Sequence, residues 1–264
     1  LGCPLIEPRV ISGQMANMTV FSALVDFRNR TERRIEPGRL QLVMNNHIGK
    51  GGHLSSQPMG ALRDYVAKDP VTEKYAVLNF PVQQDNPYRI DLEETTKLLD
   101  RFDPELIILG KSMILHPEPV AAIRQLLDAK PTKPVLLYDM AHAIGLIGPH
   151  FQDPFKEGAD IVTGSTHKTL FGSQRGIIGA AYEEETPEFE LWKAIQRRTF
   201  PGAVSNHHLG TLLGMLMAVL EMNAFKDTYQ PQVLANARAF AKALADEGLE
   251  VQGDLELGYT ETHQ

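Results

Sequence analysis

Cysteine is nearly missing from this 264-residue chain: Cys3 stands alone. A single thiol excludes a disulfide framework and points to a reducing compartment, so a cytoplasmic protein is expected. Positive charge is also short. With 26 Lys and Arg against 33 Asp and Glu, the net charge is −7, which argues against a nucleic-acid or anionic-membrane surface. The basic cluster from Arg28 to Arg39 carries Glu32 and Glu36 and reads as solvated loop. No continuous apolar run approaches the about 20 residues of a membrane span. Neither an initiator Met nor a signal peptide opens the chain, which begins Leu1-Gly2-Cys3-Pro4. It stops at Gln264, where a strand is expected to be starting. The reading is therefore of a fragment, or of a domain cut from a longer chain.

Apolar residues are plentiful, at 43%, and the length suits one large domain or one and a half. Leu106-Ile107-Ile108-Leu109 and Val135-Leu136-Leu137-Tyr138 are short continuous apolar runs of the kind buried on both faces of a sheet. Apolar periodicity predicts helices near 14–27, 57–68, 92–102, 117–129, 184–198, 209–222 and 231–247. Strands are predicted at 40–44, 75–82, 106–109, 135–138 and 177–182, with another ending near 159–162. Short apolar runs alternating with helices imply an α/β fold: three α/β/α layers around a mostly parallel sheet. Residues 1–246 are expected to form this large domain and 247–264 to open a truncated further one.

Two strand ends carry chemistry. One run closes on Asp139-Met140-Ala141-His142; another leads to Thr163-Gly164-Ser165-Thr166-His167-Lys168-Thr169. Ligands of open α/β sheets collect outside the carboxyl ends of strands, so Asp139 and Lys168 are expected to face one crevice. A lysine there becomes a nucleophile once desolvation lowers its pKa. An amine beside a carboxylate aimed at an aromatic nitrogen is the constellation that pyridoxal phosphate needs. Upstream, Ser12-Gly13 opens a helix. Its free amides suit an anion, and its serine equally suits a plain N-cap. The adjacent His207-His208 point about 100° apart on a helix, so no metal centre is expected.

The blocks Ser165-Thr166-His167-Lys168-Thr169-Leu170 and Asp139-Met140-Ala141-His142, with Gly145-Leu146, resemble serine hydroxymethyltransferase. Ser12-Gly13, Ala16-Asn17, Gly51-Gly52-His53-Leu54, Gly110-Lys111-Ser112 and Phe200-Pro201-Gly202 extend the resemblance in the family's order. The resemblance implies the aspartate-aminotransferase-like fold type I and pyridoxal 5'-phosphate held covalently on Lys168. It implies His53 against the pyridine face, Asp139 at the ring nitrogen, and His142 with Ser112 near the phenolic oxygen. Ser12, Gly13, Gln14 and Ser165 would complete the cofactor site, with Arg175 before Gly176 as in the pattern, and His167 beside the lysine. Lys111 has no assigned counterpart.

The implied reaction moves the serine hydroxymethyl group to a tetrahydropterin, leaving glycine, in a homodimer or tetramer with shared active sites. A folate-independent aldolase or transaldolase on threonine or another β-hydroxy amino acid is the second reading. A non-catalytic partner subunit that kept the fold is the third.

Overall fold

The computed structural model describes residues 1–31 and 38–264. Seven strands form one sheet: β1 (Leu5–Glu7), β2 (Val43–Asn45), β3 (Val77–Asn79), β4 (Leu106–Leu109), β5 (Val135–Asp139), β6 (Ile161–Ser165) and β7 (Gly176–Ala180), in the order β1-β7-β6-β5-β4-β2-β3. The five strands from β3 to β6 run parallel; β7 pairs antiparallel with both β6 and β1. This is the expected mostly parallel α/β sheet.

The apolar runs are continuous because each strand serves two cores. In β4, Leu106 and Ile108 face one hydrophobic cluster, Ile107 and Leu109 the other. In β5, Leu137 points one way while Leu136 and Tyr138 point the other. The first core is roofed by α1 (Gly13–Thr31) and α4 (Phe189–Arg197), and the second by α2 (Leu92–Arg101), α3 (Val120–Asp128) and part of α5 (Leu209–Asp246). Fully burying such a side chain stabilises the fold by about 1.5–3 kcal/mol. Helix starts are local decisions: the Asp91 carboxylate accepts from the Glu94 amide at the head of α2, replacing a partner that the first helical amides lack.

Several expectations are corrected. Residues 57–68 do not form an α-helix; only 3-10 turns occur, at Leu54–Ser56 and Ala61–Asp64. Gly60 admits no Cβ there, because one would meet the Leu54 carbonyl at 2.3 Å. α1 runs on to Thr31, so the first part of the supposed loop 28–39 is helical, while residues 32–37 lie outside the described residues. The two helices expected at 209–222 and 231–247 are one, because Pro231 does not break α5. An interior proline removes one ladder hydrogen bond and crowds the carbonyl four residues back, a cost that the packing of α5 outweighs here. The turn before it is held by Gln230, whose Nε2 donates to the carbonyls of Gly145 and Ile147. By length and composition α5 is also long and apolar enough to cross a membrane, although its apolar residues are interrupted by polar ones.

Candidate active site

β5 ends on Asp139, whose carboxylate is almost fully buried. Its Oδ2 accepts hydrogen bonds from His53 Nδ1 (2.5 Å), Asn17 Nδ2 (2.7 Å), Ser56 Oγ (3.1 Å) and Ser55 Oγ (3.2 Å). Its Oδ1 accepts from the Ala141 amide at 3.1 Å. Burial alone would raise the pKa of this acid, but His53, Asn17 and the Ala141 amide outweigh it and hold the group below the usual carboxylate range. The residue is a fixed anion.

Around it stand the other groups the sequence brought forward. The rings of His53 and His142 meet edge to face at 5.4 Å. Lys168 lies half-buried in the turn after β6; desolvation lowers its pKa, and the charge of Asp139 opposes that shift only in part. His142 is pushed down to about 4 by desolvation and by the charges of Lys168, His53 and His263. It is therefore a neutral imidazole at physiological pH. The lysine turn is tied to the His142 turn by Thr169, whose hydroxyl donates to the His142 carbonyl and accepts from the Gly145 amide.

The head of α1 closes one side. Ser12 Oγ accepts from the Met15 amide at 3.1 Å, and the Ser12 carbonyl from the Ala16 amide. Ser12 thus caps the helix, leaving the earlier amides of Gly13 and Gln14 as the ends available to an anion. Gly13 is required for close approach: a Cβ there would come within 2.3 Å of Ser165 Oγ. Ser165, buried at the end of β6, packs against Gly13 at the helix head, next to the strand that leads to Lys168. Ser112 lies on the turn after β4, where its amide donates to the Gly51 carbonyl at 2.8 Å.

Two of the named residues stand apart. His167 is exposed on the outer side of the lysine turn. Arg175 is fully buried, and its guanidinium donates to the carbonyls of Pro8, Arg9, His207 and His208 and to Thr211 Oγ1. Its donors are taken by backbone, so it acts here as an internal brace rather than as a cofactor ligand. Conversely, Ser55 and Ser56 hold Asp139 without having been singled out, and Asn17, named only as part of a motif, holds it too. Their signal was polarity out of place: Asn17 interrupts the apolar face of α1, and Thr163 Oγ1 donates to its Oδ1 at 2.6 Å from within β6.

The donor set suits a phosphorylated pyridine aldehyde. A fixed carboxylate can face a ring nitrogen, a half-desolvated amine a carbonyl carbon, and a helix head a phosphate. Among the described residues no group of three or more His, Cys, Asp or Glu is placed to hold a metal.

The family model for serine hydroxymethyltransferase matches residues 5–256. Curated relatives carry the same name. That of Archaeoglobus fulgidus is 38% identical over 255 residues, covering 96% of this chain and 51% of the relative. That of Pyrobaculum aerophilum is 37% identical over 265 residues, covering 100% and 55%. Among solved structures, L-threonine transaldolase from Pseudomonas fluorescens, in its internal aldimine state, superposes with a TM-score of 0.77 at 30% identity, over 99% of this chain and 53% of that one. The chain spans about half the length of the relatives it matches.

Proposed function

The chain belongs to the serine hydroxymethyltransferase family, and on that premise we propose that it is the pyridoxal-phosphate-binding part of an enzyme that moves the hydroxymethyl group of serine to a tetrahydropterin, leaving glycine. The observation that carries this reading is the pairing of a half-desolvated Lys168 with the buried, ionised Asp139 at neighbouring strand ends. When bound, pyridoxal phosphate supplies an electron sink for the pair released at the amino acid Cα.

Each residue then has a task. Lys168 would hold the cofactor through Nζ, and its depressed pKa leaves more free amine near neutral pH to do so. Asp139 would keep a proton on the ring nitrogen, and its own ionisation is secured by His53 and Asn17. His53, fixed by Asp139, would hold the ring; His142, held neutral, would pass a proton at the phenolic oxygen, with Ser112 as a further polar contact. Gly13 and Gln14 would bind the phosphate through their amides, with Ser12 as the cap that keeps those amides in place. Ser165 keeps the helix head against β6.

A second reading is favoured by the transaldolase among similar structures: a folate-independent aldolase or transaldolase acting on threonine or another β-hydroxy amino acid. The deciding assay follows cleavage of serine and of threonine with and without tetrahydrofolate. Serine cleavage stimulated by the pterin is expected; threonine cleavage indifferent to it, with serine untouched, would replace the first reading by the second.

The assembly we infer is a homodimer, or a tetramer, in the cytoplasm. α5 exposes Leu209, Leu213, Leu216, Met217 and Leu220 along one face, and an apolar face of that kind supports a protein interface.

A further inference from the structure

Behind the crevice lies a charge pair that the proposed chemistry does not use. Lys111 Nζ meets Glu118 Oε1 at 2.5 Å, and the two side chains are 1% and 2% exposed. Neither can touch a ligand. Removing two charges from water is costly, and an apolar pair of the same volume is often as stable. What the ionic pair adds is direction. Lys111 Nζ also donates to the Tyr88 carbonyl at 2.6 Å. Glu118 Oε2 accepts from Asn46 Nδ2 at 3.1 Å, and Asn46 Oδ1 accepts from the Gly110 amide at 2.8 Å.

This network ends on the cofactor-facing loops. The Gly110 carbonyl accepts from the His53 amide at 3.0 Å, Lys111 bridges Gly52, and the Ser112 amide reaches the Gly51 carbonyl. Gly110 sits so close to β5 that a Cβ would meet the Asp139 carbonyl at 2.6 Å. On the far side, the Glu118 carbonyl accepts from Gln152 Nε2, and Gln152 Oε1 accepts from the hydroxyl of Tyr138, the residue before Asp139. The ends of β2 and β4 therefore converge on the ion pair, and β5 is tied to the same segment through the backbone carbonyl of Glu118.

We propose that Lys111 and Glu118, acting through Asn46 and Gly110, are positioning residues that set the placement of His53 and Ser112 relative to Asp139. The proposal rests on the pyridoxal-phosphate reading of the site. It is tested with Lys111→Met/Glu118→Leu, which replaces the pair by apolar groups, and with Asn46→Ala, which keeps the pair and cuts only its link to Gly110. Three readouts are needed: thermal midpoint, cofactor affinity by spectral titration with pyridoxal phosphate, and hydrogen exchange at the amides of Gly52, His53 and Ser112. The double variant strands the Tyr88 carbonyl and Asn46 Nδ2 and is expected to melt below the parent, yet to fold and to bind the cofactor at least about tenfold more weakly, with faster exchange at those amides. Asn46→Ala is expected to lose affinity in the same direction. Should the double variant not fold, Asn46→Ala decides the matter alone. Parental affinity and parental exchange in whichever variants fold would reduce the pair to a structural filler and overturn the proposal. A parent protein that takes up no pyridoxal phosphate would instead defeat the cofactor reading, and the exchange data would still judge the pair.

Discussion

Asp139 and Arg175 are both buried charges set beside the same strands, and they do opposite things. Arg175 directs its donors at four backbone carbonyls and a threonine hydroxyl, tying residues 8–9 to 207–211. No donor is left for a ligand, so its charge is converted wholly into chain geometry. Asp139 gathers its donors on one oxygen, Oδ2, while Oδ1 accepts from the Ala141 amide alone among the described contacts. It also feels the charge of a half-desolvated amine, Lys168. A buried charge marks a site when bonding capacity remains and a reactive group stands within reach; burial by itself marks only structure.

The largest expected effect falls on the amine. Lys168→Ala should fold normally and lose turnover by about 10²–10⁴-fold, the range of a positioned proton-transfer or nucleophilic group. Borohydride reduction of the cofactor-loaded parent, followed by peptide mapping, should put the pyridoxyl label on Lys168; a label on another lysine would sink the assignment. Arg175→Met comes next and sharpens the contrast, because its loss should appear in stability. Stranding several buried carbonyls should cost about 2–5 kcal/mol, read from denaturant midpoints, while the folded fraction still takes the label on Lys168. An unchanged midpoint would show that the brace is dispensable.

Asp139→Asn should do the reverse, keeping the fold and cofactor affinity near those of the parent. Losing a charge-assisted hydrogen bond costs about 1.5–3 kcal/mol. If that loss falls on the transition state, kcat drops about ten- to a hundredfold. Parental turnover in the Asn variant would leave Asp139 as a turn-former only, through its bond to the Ala141 amide.

The smallest effect concerns His142, faced by Lys168, His53, His263 and Asp139. Its folded pKa of about 4 lies below the ordinary 6.5. As pH falls through 6.5 the unfolded chain takes up a proton that the folded chain refuses, so stability drops; below about 4 both states are protonated and the drop levels off. His142→Gln should therefore show a shallower fall in thermal midpoint between pH 7 and pH 5 than the parent, by a modest amount because the ring is partly exposed. Parallel slopes would contradict the neutral assignment.

What the sequence determined by itself were the features encoded within a few residues. The double-sided apolar runs at 106–109 and 135–138 and the motifs at Asp139 and Lys168 are all local, and strand ends are where such a sheet collects chemistry. Tertiary structure decided what depends on chain segments far apart. Asn17 reaches Asp139 across 122 positions, and Ser55 across 84. Whether Arg175 faces a ligand or the backbone turned on where residues 8–9 and 207–211 come to rest. The region 57–68 kept helical periodicity yet packed as 3-10 turns, with Gly60 in a non-helical conformation drawn up against the Leu54 carbonyl, six residues away along the chain. The physical reason is common to all of these. A hydrogen bond or a close backbone approach is fixed by separation in space, and only the completed sheet, with its order β1-β7-β6-β5-β4-β2-β3, brings those residues within bonding distance.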